Sequence, residues 1–182
     1  MNQETETGIS FMKINENLDT GPVLKTYKIK IDLNSNATEL EKKLSQLAAE
    51  KTVENINNII KGKVKLKEQD HSEATYAEKI NKKEGRITWN DSSKKIIGKI
   101  NGLHPNPGAY FIFNEDRYKI LRAEIGNGSG PSGEVLDDKL EIACSNNESI
   151  KVIEIQKEGK KIQEINEFLN GSKIHKGCTL NE

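Results

Sequence analysis

The sequence predicts a mixed α+β chain, built in two dissimilar parts with a polar connector between them. Three observations carry that prediction. Residues 8–31 alternate with strand period around a short polar loop, residues 37–60 repeat at helical spacing, and residues 109–155 return to short alternating runs broken by turn residues. The first part reads as strand, loop, strand and long helix, a coherent last piece of an α/β layer but not a complete one. Short strands at close spacing make the second part a small barrel.

The elements follow in order. Gly8–Ile14 and Val23–Ile31 read as strands. In the second, Val23, Lys25, Tyr27, Ile29 and Ile31 share one face, and Leu24, Thr26, Lys28 and Lys30 the other. Between them lies a tight polar loop holding Asp19-Thr20-Gly21, in which glycine relieves the backbone constraint and one carboxylate is presented at a sheet end. From Ala37 the apolar residues Leu40, Leu44, Leu47 and Ala48, then Val53, Ile56, Ile59 and Ile60, mark a helix. Thr38 and Glu41 stand at capping-box spacing and Gly62 is its expected stop. Residues 63–83 are almost core-free and have the composition of a connector. Ser92-Ser93 caps a helix carrying Ile96, Ile97, Ile100 and Leu103, which ends in the stiff turn His104-Pro105-Asn106-Pro107-Gly108. Strands are expected at Ala109–Phe113, Tyr118–Ile125, Gly133–Leu136, Leu140–Ala143 and Ile150–Ile155. Phe168–Gly171 and Ile174–Leu180 close the barrel.

The 28 basic and 28 acidic residues cancel, which argues against a strongly basic nucleic-acid binder while leaving local patches open. No stretch approaches the roughly 18 apolar residues of a membrane span, and no signal-peptide pattern opens the chain. Cys144 and Cys178 lie far apart without metal-ligand spacing, so reduced, inert thiols in the cytoplasm are expected and no metal is.

Alone, Asp-Thr-Gly is a common turn. The whole run Glu6-Thr7-Gly8-Ile9-Ser10-Phe11-Met12-Lys13-Ile14, with Leu18-Asp19-Thr20-Gly21-Pro22-Val23-Leu24 after it, closely resembles a signature of the folate-dependent formyltransferase family. Downstream, Thr75-Tyr76-Ala77-Glu78-Lys79-Ile80 leads to Ile87-Thr88-Trp89. That string resembles the linker of the family's methionyl-tRNA formyltransferases, and the glycinamide ribonucleotide formyltransferases lack this region. The resemblance implies that residues 1–62 are the remnant of a Rossmann-like α/β formyltransferase domain, 63–83 a linker, and 84–182 an open, OB-like β-barrel domain that faces tRNA. It further implies 10-formyltetrahydrofolate as formyl donor, initiator methionyl-tRNA as acceptor, and a monomer at full length.

By the same resemblance Asp19 is the catalytic acid that tunes a histidine and relays protons, and the backbone of Glu16, Asn17 and Leu18 lies against the pterin. The family's Asn and His stand on an earlier segment that this chain does not contain. His71, His104 and His175 all lie downstream, so the chain is expected to be a C-terminal portion, inactive by itself. For RNA, the candidates are Lys79, Lys82, Lys83 and Arg86, with Lys61, Lys63, Lys65 and Lys67 alternating nearby. Tyr76, Tyr110 and Phe111 are candidates for stacking on a base. Bland readings stand beside these: Asp19 as a turn cap, the lysines as a solvated face. A non-catalytic RNA-binding module and a formyltransferase acting on a different amine remain alternatives. An uncovered sheet edge and helix face in residues 1–62 predict local disorder or self-association.

Overall fold

In the computed structural model of the chain, residues 1–180 are described; the last two residues of the expected 84–182 domain lie outside the described residues. Two compact units result, one formed by Glu4–Asp32 with Glu39–Lys79, the other by Met1–Gln3, Leu33–Thr38 and Ile80 onward.

The first unit begins with an antiparallel hairpin, β1 (Glu6–Met12) and β2 (Val23–Lys30), paired from Glu6↔Lys30 to Met12↔Val23. The ladder ends two residues earlier than the expected Ile14. Lys13 N still donates to Pro22 O at 3.0 Å, but Pro22 has no N–H to return. Cross-strand pairs reinforce it: Ser10 and Thr26 hydroxyls at 2.9 Å, Lys28 Nζ on Glu6 Oε1 at 2.6 Å, and Phe11 edge-on to Tyr27 at 6.0 Å. Lys67 adds one further antiparallel bridge, its N–H and C=O exchanging bonds of 2.9 and 2.8 Å with Val23. Residues 63–79 of the expected 63–83 connector group with this unit.

The helix α1 (Ala37–Ile60) ends as expected at Gly62. Gly62 N donates to Ile59 O at 3.0 Å and Lys63 N to Asn58 O at 2.9 Å, the two bonds of a Schellman stop, with Gly62 at φ +65°. Its second half leaves an apolar face uncovered. Leu40, Leu44, Leu47 and Ala48 are half-buried, but Val53, Ile56, Ile59 and Ile60 are exposed. Helical residues advance about 100° each, so Val53 stands about 140° around the helix from Ala48. The inward line continues instead through Lys51, Thr52 and Asn55. Asn55 is only 3% exposed and donates to Tyr27 Oη at 3.0 Å and to Lys51 O at 2.8 Å. A polar residue at the right angle outranks apolar ones at the wrong angle.

The second unit is an antiparallel sheet ordered β3-β4-β6-β5, with β7 on β6: β3 (Ala109–Phe113), β4 (Asp116–Ile125), β5 (Glu141–Ala143), β6 (Ser149–Lys157) and β7 (Gln163–Glu164). Asn114 and Glu115, both at positive φ, make the two-residue β3–β4 hairpin turn. Helix α2 (Ser93–Gly102) lies against β4 and buries Ile96, Ile97 and Ile100. Its cap is Ser92, whose Oγ accepts from Lys95 N at 3.3 Å; Ser93 donates through N and Oγ to Glu148 Oε2 at 2.8 and 2.7 Å. Ile87, Trp89, Phe111, Ile120, Ile142, Ile150 and Ile155 form the core, with Trp89 tilted against Phe111 at 5.8 Å. The expected strand Gly133–Leu136 is not continuous. Gly133, Val135 and Leu136 donate to Ala143, Cys178 and Glu141 respectively, so the segment is tied to several partners and forms only single bridges. The short helix α3 (Ile165–Leu169) supplies Phe168, edge-on to Tyr118 at 5.7 Å. Among the described residues no helix is long and apolar enough to cross a membrane.

Candidate functional site: the Asp19 loop

The loop between β1 and β2 is built by side chains other than its acid. Asn15 Oδ1 accepts from Asn17 N at 3.1 Å and from Thr20 Oγ1 at 2.8 Å, and Thr20 Oγ1 also lies 3.3 Å from Asn17 O. That is an Asx-type turn made by Asn15. Gly21 is buried, and a Cβ there would fall on the carbonyl oxygen of Lys13, so no other residue fits. From outside the loop, Gln69 Nε2 donates to Asp19 O at 2.8 Å and to Gly21 O at 2.7 Å.

Asp19 itself stands at φ +54°, a left-handed conformation that an L-residue adopts at a cost of about 1–2 kcal/mol. Its side chain is exposed, and no described residue donates to its carboxylate. The turn-cap alternative therefore finds its hydrogen bonds on Asn15, not on Asp19. Beside it, Leu18 is 89% exposed, and the peptide groups of Glu16 and Leu18 have no partner among the described residues. A flat heterocycle with a polar edge would meet free donors, free acceptors and an apolar side chain there.

The basic candidates fall in both units. Lys79 is an exposed residue of the hairpin unit. In the sheet unit, Lys82 and Lys83 lie on a single 3₁₀ turn, Lys82–Gly85, that Asn81 and Glu84 close reciprocally through bonds of 3.0 and 2.6 Å. Arg86 follows, its backbone bridged in parallel to Tyr110 and its carbonyl bonded by Lys99 Nζ at 2.8 Å. The side chains of Lys82, Lys83 and Arg86 are exposed and meet no acid among the described residues. Tyr110 and Phe111 separate cleanly: Phe111 is core, and Tyr110 lies under the guanidinium of Arg117, 3.7 Å from ring centre to Cζ. Sequence reasoning missed Arg117, because nothing marks a cation that stacks across a hairpin. Lys61, Lys63, Lys65 and Lys67 are exposed, although Gly62 turns the chain between the first two and Lys67 is held in its bridge. His104 Nδ1 lies 3.2 Å from Thr38 Oγ1. Cys144 is buried and free, and burial pushes its thiol up to about 12, so it is no nucleophile at neutral pH. Among the described residues no group of acids, histidines and cysteines is placed to hold a metal.

The family described as "Formyl transferase, C-terminal domain" matches residues 79–173, and the chain belongs to it. Among individual relatives, the methionyl-tRNA formyltransferase of Pelagibacter ubique is 60% identical over 180 residues, covering 99% of this chain and 58% of that one. The methionyl-tRNA formyltransferase of Thermodesulfovibrio yellowstonii is 38% identical over 178 residues, covering 97% and 58%. This chain thus spans somewhat over half the length of the curated relatives it matches. A solved structure of WlaRD, a sugar 3N-formyl transferase in the presence of dTDP and 5-N-formyl-THF, shares the fold. Its TM-score is 0.69 at 23% identity, over 88% of this chain and 58% of that one.

Proposed function

We propose that this chain forms part of a folate-dependent methionyl-tRNA formyltransferase, with the Asp19 loop contributing to the transfer centre and the second unit to RNA contact. On this reading the first unit derives from a Rossmann-like domain and the second is an open, OB-like barrel. The observation that carries it is the exposed, unpartnered Asp19 carboxylate on a strained and multiply anchored loop. Relatives of 60% and 38% identity that bear this activity in their names support it.

Bound 10-formyltetrahydrofolate supplies the formyl group that the acceptor amine receives. Glu16, Asn17 and Leu18 fit as the edge that holds its pterin, through the free peptide groups of Glu16 and Leu18 and the exposed Leu18 side chain. Asp19 then acts on protons. Its carboxylate stands free to accept a hydrogen bond from an imidazole or an acceptor amine, and so to favour the proton movement that transfer of an acyl group to nitrogen requires. Lys79, Lys82, Lys83 and Arg86 neutralise phosphates of the initiator methionyl-tRNA, adding affinity without reading sequence.

The test joins this chain to the portion of the Pelagibacter relative that it does not match, and measures formylation of methionyl-tRNA. Formylation that Asp19→Asn lowers at least about a hundredfold supports the reading. Turnover equal to the parent's in that variant overturns it. The non-catalytic module reading predicts instead salt-sensitive tRNA binding by the chain alone that Asp19→Asn does not alter, with no formylation by the joined chain.

A further inference from the structure

We propose that Gln69 is the positioning residue of the Asp19 loop, setting where the Asp19 carboxylate stands; the inference rests on the reading of Asp19 as the acid of the transfer centre. The geometry is specific. Both hydrogens of one amide nitrogen are used, one on Asp19 O at 2.8 Å and one on Gly21 O at 2.7 Å. These two carbonyls flank Thr20, so a single side chain orients the peptide plane that follows Asp19 and the one that follows Gly21. Because each residue has only two soft backbone dihedrals, fixing the plane after Asp19 restricts its ψ and hence the direction of its Cα–Cβ bond.

The loop needs that hold. Asp19 is in the left-handed region, and the hydrogen bonds made inside the loop by Asn15 fasten Asn17 and Thr20 but leave Asp19 itself untouched. Gln69 is the one side chain from elsewhere in the described chain that bonds to Asp19. It is delivered there by the reciprocal backbone bonds between Lys67 and Val23, which bring residue 69 beside the loop and hold it at a half-buried position. The chemistry also selects glutamine. Glutamate at 69 would direct an acceptor at two acceptors, and leucine would fill a similar volume with no donor at all.

Two measurements test this. In the present chain, ¹⁵N relaxation should show the amides of Asn17–Gly21 losing order in Gln69→Leu, from about 0.85 to below about 0.6 in order parameter, with β3–β6 unchanged. In the joined, active form, Gln69→Leu and Gln69→Glu should lower kcat by about tenfold to a hundredfold, with the KM for the folate donor within about threefold of the parent. A general loss of folding would not produce this split between a lowered kcat and a preserved KM. A rigid loop in Gln69→Leu, or a kcat within about twofold of the parent while Asp19→Asn is inactive, overturns the role of Gln69. If Asp19→Asn is itself fully active, the reading of Asp19 fails instead, and the relaxation data alone decide whether Gln69 orders the loop.

Discussion

At the scale of single residues, two glycines separate steric from conformational cost. Gly21 has the Lys13 carbonyl where a Cβ would sit, whereas Gly62 is at φ +65° with nothing within 4 Å of a built Cβ. Gly21→Ala must therefore push the loop off its strands, and we expect loss of amide protection across Lys13–Val23 by hydrogen exchange. Gly62→Ala meets only the left-handed penalty and should cost about 1 kcal/mol in chemical denaturation. Glu141 gives a pH-dependent counterpart. It is 8% exposed, and burial pushes its carboxyl up. The Ser149 hydroxyl (2.6 Å), the Gly128 and Asn127 amides (2.6 and 2.8 Å) and Lys151 together outweigh burial, and the group lies below the ordinary carboxylate range. A depressed folded value means stability that is complete above the unfolded value, near 4.5, and lost as pH falls through the folded one. Glu141→Gln should cost about 1–2 kcal/mol at pH 7 and flatten the acid limb of a stability–pH curve; an unchanged limb would refute the assignment. The place of Asp19 in a loop between two strands was legible in the sequence, because alternating runs flank it on both sides. Gln69 was not, since it lies 50 residues from its partner and only a folded β-bridge reveals the bond.

At the scale of elements, α1 shows where periodicity alone misleads. Its apolar residues form two stripes, one through Leu40 and Leu44 that is half-buried, and one through Val53, Ile56 and Ile60 that stays exposed. Asn55 takes the inward place through Tyr27, an outcome that depends on a hydroxyl in another strand and so cannot be counted from helical spacing. Both ends of α2, the Gly62 stop and the β3–β4 turn were legible because their signals are local, a capping serine, a glycine and a short polar turn. Gly133–Leu136 reads as a strand because its alternation is real, yet its hydrogen bonds are divided between two segments, β5 and residues 177–180. Exposed apolar residues contribute little to folding. Replacing Val53, Ile56 and Ile60 with lysine should change stability by less than about 0.5 kcal/mol per site and reduce concentration-dependent association in sedimentation velocity. Large destabilisation would mean that the exposed stripe is packed in solution.

At the scale of the whole molecule, the charge balance conceals an uneven distribution. The chain carries 28 cations and 28 acids, so its net charge offers no general attraction to RNA. Attraction must then come from places where cations lack partners. A minority of the surface lysines are neutralised locally, as Lys28 is by Glu6, Lys95 by Asp91 and Lys157 by Asp116. Lys82, Lys83 and Arg86 are not; they share one short turn and its exit, with Glu84 committed to its cap. If these residues contact phosphates, each contact releases counterions, and the logarithm of the association constant falls with the logarithm of salt by about 0.9 per phosphate on a duplex stem. The double substitution Lys82→Ala, Lys83→Ala should accordingly weaken tRNA binding at low salt and make the salt slope shallower by about 1–2 units. It should weaken binding to unrelated stem RNA in the same proportion, because phosphate contacts carry no sequence information. Fluorescence titration from low to moderate salt reads both quantities. A weaker affinity with an unchanged slope would place the phosphates elsewhere, and an unchanged affinity would leave these lysines as a solvated face.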